Sequence, residues 1–313
     1  MGKIAFVFPG QGAAAVGMGQ ALIASHPAAA AVWQAVVAVM PELDTLCREG
    51  PLERLVETGY AQPALFGVDC ACLAALTAAG VAPDAVAGHS LGEYAALVAA
   101  GALEVEEGLA LVRARAAAMQ RACARPGTML AITGLTAEQV EAVVAAWDGD
   151  GVIAVANYNA PGQTVISGDR AALRAIAPAF EQAGARVTEL VVGGAFHSPL
   201  MAPGEPEFWP ALAAAPFRDA RVPVICNTTA QPTTAAEALR GALRSQMTGS
   251  VRWQQSVQAM LGLGVEAFVE VGPGRTLLGL IRRCLPRDAR VRLLNVEDPA
   301  SLEKTLAALR AGP

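Results

Sequence analysis

Gly88-His89-Ser90-Leu91-Gly92 lies between a short apolar run at 85–87 and an apolar helical pattern over 91–100. A strand that stops at a glycine and turns through a serine straight into a helix needs a very tight corner. Small residues two before and two after the serine are what such a corner requires, and this is the nucleophile-elbow pattern. The corner lifts the hydroxyl clear of a sheet and sets it at a helix N-terminus. Unpaired N–H groups and the helix dipole there favour a developing negative charge. The plain alternative is a glycine-rich turn with a capping serine.

Working outward from the elbow, strands and helices alternate. Residues 3–8 read as a buried strand ending at Pro9-Gly10-Gln11-Gly12, followed by helical patterns over 17–40, 62–80 and 104–122. Strands are expected at 223–227, 265–271 and 291–295, and helices at 235–247, 252–263, 274–285 and 299–311. Alternation of this kind implies a mostly parallel sheet covered on both faces, an α/β-hydrolase-like arrangement around the elbow. The middle differs. Strands at 129–132, 152–157, 164–167 and 186–191, with helices at 136–147 and 169–183, give the order β-α-β-β-α-β. That is the split, ferredoxin-like α+β arrangement. Pro126-Gly127 and Gly193-Gly194 are plausible hinges. We therefore expect a large catalytic domain from 1–126 and 196–313, with a small inserted subdomain at 127–195.

A serine nucleophile needs a base. The chain has three histidines, His26, His89 and His197. His89 adjoins the serine and points elsewhere on an elbow, and His26 precedes Pro27 at a helix end. His197, in Gly194-Ala195-Phe196-His197-Ser198-Pro199, is the base by elimination, set against a purely structural histidine. The oxyanion of a tetrahedral intermediate needs N–H donors. The N–H of Leu91 is the natural first. The Gly10-Gln11-Gly12 loop is well placed for the second, since glycines let backbone approach closely. That loop lacks the endings of a P-loop or a dinucleotide fingerprint.

Five motifs occur together and in order: Phe8-Pro9-Gly10-Gln11-Gly12, Gly88-His89-Ser90-Leu91-Gly92-Glu93, Ala156-Asn157-Tyr158-Asn159-Ala160-Pro161-Gly162-Gln163 with Val165-Ile166-Ser167-Gly168, Ala195-Phe196-His197-Ser198, and Val269-Glu270-Val271-Gly272-Pro273-Gly274. In these the chain resembles the malonyl-CoA:acyl carrier protein transacylase family, and the acyltransferases of polyketide synthases. The resemblance runs over essentially the whole chain. It implies that Ser90 is acylated, that His197 is its base and later the acid for the leaving thiol, and that Gln11 and Leu91 supply the oxyanion N–H groups. It implies that a backbone carbonyl at Gln246, not an Asp, orients the histidine. It implies that Arg115 holds the malonyl carboxylate, a task suited to a planar guanidinium. Buried and unpaired, that arginine would be costly, so it is expected to stay hydrated in the free protein. Arg113, two residues away, is expected on the surface. Phe196 before the histidine and Leu91 after the serine accompany unsubstituted malonyl units in this family, because Phe196 fills the space a substrate methyl would need.

The implied reaction is ping-pong, from malonyl-CoA to Ser90 and then to the phosphopantetheine thiol of an acyl carrier protein. No bound cofactor and no metal are expected. Fatty acid synthesis, a trans-acting role on a polyketide assembly line, and the transacylase subunit of a malonate decarboxylase all fit. A serine esterase and a non-catalytic carrier-binding subunit are the rivals outside the family. Esterases of this type place an acid and then a histidine late in the chain, whereas here more than a hundred residues follow His197.

The 313 residues are 54% hydrophobic and 16% charged, enough for a sizeable core. A net charge of −5 argues against nucleic acid as a partner. The densest basic cluster, Arg282, Arg283, Arg287, Arg290 and Arg292, reads as a solvated surface or a local docking patch. The six cysteines are scattered and expected to be reduced. No signal-like N-terminus and no membrane-spanning run stand out, so a cytoplasmic monomer is expected.

Overall fold

The computed structural model describes residues 2–311. Strands β1 (Lys3–Phe8), β2 (Ala85–Gly88), β3 (Gly127–Thr133), β4 (Ile153–Ala160), β5 (Gln163–Asp169), β6 (Arg186–Glu189), β7 (Val224–Ile225), β8 (Pro232–Thr233), β9 (Val265–Val271) and β10 (Arg292–Val296) form two sheets. The six-stranded sheet has the order β10-β9-β1-β2-β7-β8. All its pairs are parallel except β7 with β8. β1 is five-sixths buried and β2 wholly so, which is why both read as unbroken apolar runs. In the β1–β2 register Phe8 lies opposite Gly88. The Pro9-Gly10-Gln11 loop and the serine turn therefore leave the same sheet edge side by side, at the carboxyl ends of the strands.

The four-stranded sheet has the order β4-β5-β3-β6 and is antiparallel throughout. Helices Ala137–Ala145 and Arg170–Gln182 pack on it over a separate core of Leu130, Ile132, Ile166, Leu173, Ile176 and Phe180. This strand order is that of the ferredoxin-like split arrangement. β4 ties this sheet to the larger part of the protein: Tyr158 N–H donates to Val251 O at 2.9 Å, and Val251 N–H to Ala156 O at 2.8 Å.

Several elements depart from the expectation. The helical pattern over 17–40 is two helices, Gln20–Ser25 and Pro27–Val39, because Pro27 cannot continue a helix but starts one readily. Short helices at Glu42–Glu49 and Leu52–Leu55, and a longer one at Glu205–Ala214, were not expected. The last carries Pro206 in its first turn and Pro210 inside it, which hides its periodicity.

The 62–80 helix runs instead over Thr58–Ala78 and corrects the membrane reading, being long and apolar enough to span a bilayer. It is instead the core helix of this protein: 83% of its most apolar window is buried inside the fold. Asp69, midway along it, is fully buried, and neither of its carboxylate oxygens has a hydrogen-bond partner. Burial, reinforced by Glu270, pushes its carboxyl well above the usual range. A raised carboxyl pKa makes the folded state hold a proton that the unfolded chain releases. Stability from this site is therefore present below about pH 4 and is lost as pH rises toward the folded pKa. Asp69→Asn should raise Tm by about 2 °C or more at neutral pH, and the gap over wild type should widen from pH 5 to 8. Thermal melts across that range test this, and a constant or shrinking gap would contradict it.

Candidate active site

The turn after β2 is built on two glycines that nothing larger could replace. A Cβ on Gly88 would stand 1.9 Å from the Gly92 carbonyl carbon, and one on Gly92 2.1 Å from Phe8 O. Ser90, at the apex, has φ 53°, a conformation that a non-glycine residue holds only when its surroundings enforce it. Asn227 enforces it from β7's end: its Oδ1 accepts the Ser90 N–H at 2.6 Å and its Nδ2 donates to Gly88 O at 2.6 Å. Gln246 Nε2 donates to Ser90 O at 2.9 Å. Helix Gly92–Ala99 follows directly.

His197 reaches the serine from a loop after β6, also with positive φ, 57°. Ser90 Oγ lies 2.7 Å from His197 Nε2. Nδ1 faces two backbone carbonyls, Gln246 O at 2.9 Å and Gly249 O at 3.1 Å, so Nδ1 carries the proton and Nε2 is the acceptor. Burial, then the nearby Arg115 cation, pulls the ring's pKa down to about 3, which keeps it neutral. The carbonyl of Gln246 thus faces Nδ1, with that of Gly249 as a second partner.

Arg115, on helix Val105–Ala122, is 1% exposed, which overturns the expectation that it stays hydrated. Protein amides replace the water: Nη1 donates to Gln62 Oε1 at 2.7 Å and Nε to Gln246 Oε1 at 3.2 Å. Nη2 donates to Ser90 Oγ at 3.0 Å, and the guanidinium lies 5.6 Å from the Tyr94 ring centroid. Arg113 is exposed, as expected. Gln62 Nε2 in turn donates to Gln11 Oε1 at 3.2 Å, linking the arginine to the first loop. The N–H groups of Gln11 and Leu91 stand at the heads of a 3-10 turn and of a helix, where no intrahelical acceptor exists.

These groups line a cleft of about 450 Å³ between the carboxyl edge of the large sheet and strands β3–β5 of the small one. Gln11, Ser90, Arg115 and His197 form its floor, Phe196 and Leu280 its apolar walls, and Asn157 and Asn159 its far side. His89 also lines this cleft, but its Nε2 pairs with Asn159 Oδ1 at 2.9 Å and its ring packs on Trp253. His26 is half-buried, at the start of a helix remote from the cleft lining. Among the described residues no cluster of His, Cys, Asp and Glu could hold a metal ion.

Sequence reasoning missed Gln62, Glu93, Gly249 and Asn227 as site residues. Gln62 and Asn227 lie in the short polar stretches Tyr60-Ala61-Gln62-Pro63 and Asn227-Thr228-Thr229-Ala230-Gln231-Pro232. Their signal is a buried polar residue in otherwise apolar surroundings, which is visible only once burial is known.

The chain matches the model of the acyl transferase domain over residues 5–298. It is 38% identical to the malonyl CoA-acyl carrier protein transacylase of Bacillus subtilis, over 99% of this chain and 98% of that one. Its fold is similar to the solved malonyl CoA-acyl carrier protein transacylase of Coxiella burnetii, with TM-score 0.94, 35% identity and 98% of both chains covered. It is similar too to the transacylase in a solved complex of a type II polyketide synthase acyl-carrier protein with its malonyl-transacylase. There the TM-score is 0.93 and the identity 34%, over 98% of this chain and 99% of that one.

Proposed function

The chain belongs to the acyl transferase domain family, and from that premise we infer that it transfers a malonyl group from malonyl-CoA to the thiol of an acyl carrier protein, through an ester on Ser90. One observation carries the reading of the site: a single serine oxygen lies within hydrogen-bond reach of both a neutral imidazole and a buried guanidinium. The imidazole makes the oxygen a nucleophile, and the guanidinium selects an acyl group with a free carboxylate.

His197 Nε2 takes the Ser90 proton as Oγ attacks the thioester carbonyl. The Gln11 and Leu91 N–H groups receive the oxyanion, and His197 returns the proton to the departing sulfur. The carrier thiol then repeats the cycle in reverse. To hold a malonyl carboxylate on both Nη atoms, Arg115 must exchange its bonds to Gln62 and Ser90 for bonds to the substrate. That exchange also frees the nucleophile only when the right acyl group is present. Phe196 narrows the cleft where a 2-methyl group would sit, an effect worth about 1–3 kcal/mol. We take 127–195 as a subdomain that roofs this cleft.

The direct test is the mass of the intact protein after mixing with malonyl-CoA, then with a phosphopantetheinylated carrier. A malonyl increment on the Ser90 peptide that moves to the carrier is expected. No increment would favour a non-catalytic carrier-binding subunit, and malonyl-CoA hydrolysis without transfer an esterase. The pH dependence gives a second check. A base must be unprotonated to act, and the His197 pKa of about 3 moves its acid limb below the ordinary imidazole value of about 6.5. kcat/KM for malonyl-CoA should therefore show no limb between about pH 5 and 7. A tenfold-per-unit fall within that window would contradict the assignment.

A further inference from the structure

Glu93 is a buried carboxylate that the transfer chemistry leaves without a task. It is 2% exposed and sits one turn past the serine, on helix Gly92–Ala99. Its Oε1 accepts the Asn227 N–H at 3.2 Å and its Oε2 accepts Gln246 Nε2 at 2.6 Å. The same Gln246 bonds Arg115 Nε through its side-chain oxygen, Ser90 O through its amide nitrogen, and His197 through its main-chain carbonyl. One glutamine thus stands between Glu93 and each reacting side chain.

The groups facing Glu93 come from four places. Tyr94 follows it on its own helix, and Arg115 comes from helix Val105–Ala122. Cys226 and Asn227 come from the end of β7, and Gln246 from the segment after helix Ala236–Arg244. Among these only Arg115 is a permanent cation. When Glu93 is ionised, the pocket of the free protein therefore holds one positive and one negative charge. A malonyl carboxylate entering it adds a second anion against the same cation.

We propose that Glu93 is the charge-balancing positioning residue of the acyl pocket, and that it takes up a proton when the malonyl carboxylate settles on Arg115. Two carboxylates sharing one cation in a buried site do not both stay ionised. The arginine does not give up its proton. The substrate carboxylate, gripped by the guanidinium fork, keeps its charge. Glu93 lies on the far side of Gln246 and holds only neutral donors, the Asn227 N–H, the Gln246 amide and the Cys226 thiol, so it is the one to be neutralised. Burial already lifts its carboxyl to about 7, which puts the change within reach near neutrality.

This inference rests on the reading that Arg115 holds the malonyl carboxylate, and the experiment separates the two. In ester formation the C–S bond breaks and the C–O bond forms. The Ser90 proton passes through His197 to sulfur, so the exchange itself consumes no proton. Net uptake from a lightly buffered solution, read with a pH indicator as malonyl-CoA is added, therefore reports the pocket. The ester on Ser90 is counted by mass in parallel, and the small release from free CoA thiol is subtracted. Uptake should grow from pH 6 toward ~1 proton per ester near pH 8, as more Glu93 starts ionised. It should vanish in Glu93→Gln while the ester still forms, and any ester made from acetyl-CoA should bring none. Wild-type ester without uptake, or uptake unchanged in Glu93→Gln, would overturn the proposal. No ester in the wild type would overturn the acyl-transfer reading as well. The wild-type measurement decides the matter by itself should Glu93→Gln fold poorly.

Discussion

Alanine in place of Ser90 should abolish malonyl-ester formation, because no oxygen remains to carry the acyl group, and alanine in place of His197 should slow it by about 10⁴-fold or more. The reason is geometric. The 2.7 Å contact between Ser90 Oγ and His197 Nε2 makes the pair one device, so removing either half removes the activated oxygen. His197→Ala leaves the serine hydroxyl in place, but its remaining partner, Arg115 Nη2, is a donor and cannot accept the proton. It also strips the ring N–H from the Gln246 and Gly249 carbonyls, so part of any stability loss belongs to those groups rather than to catalysis. Single-turnover acylation followed by mass spectrometry separates the two effects, provided that melts show the variants folded. Ester formation in His197→Ala at close to the wild-type rate would mean that another group activates the serine, and would sink the paired reading.

The pairing could be anticipated because its parts announce themselves locally. Gly88 and Gly92 flank the serine at a spacing only a tight strand-to-helix corner requires, and with three histidines in the chain elimination was short. The β-α-β-β-α-β order was legible for a similar reason: short apolar runs and helical runs alternate cleanly between 127 and 189. What stayed hidden is whatever depends on burial from distant segments. Asn227, 137 residues from Ser90, pins the strained turn, yet in sequence it is an ordinary asparagine before two threonines. Gln246 was marked for its carbonyl alone, whereas its side chain links Ser90, Glu93 and Arg115. The hydration expected of Arg115 failed for the same reason. A cation's solvation can come from Gln62 and Gln246 as well as from water, and no local pattern reveals amides brought in from 53 and 131 residues away. Helix Glu205–Ala214 escaped because its prolines mask a periodicity that tertiary packing of Phe208 and Leu212 supplies.

Arg115 carries the second large effect, and it is an effect on choice rather than on bare rate. Arg115→Ala should cut kcat/KM for malonyl-CoA by about 10²–10³-fold, the range expected for losing a charge-assisted, fully desolvated pair with the substrate. It should leave acetyl-CoA within a few-fold of its wild-type value or raise it, because acetyl has no carboxylate to lose and the serine is freed of its competing donor. Selectivity, the ratio of the two, therefore collapses from both sides. Arg115→Lys should recover little of it. An ammonium keeps the charge but not the fork, and it cannot keep a bond to Gln246 Oε1, which Arg115 Nε holds at 3.2 Å, while gripping both carboxylate oxygens. The loss should sit in the acyl group and not in the thioester: kcat/KM measured with malonyl carried on a short pantetheine analogue should fall by the same factor as with malonyl-CoA. If the alanine variant still preferred malonyl over acetyl as strongly as the wild type does, the carboxylate would have to be held elsewhere. Arg115 would then be no more than a buried cation that steadies the nucleophile.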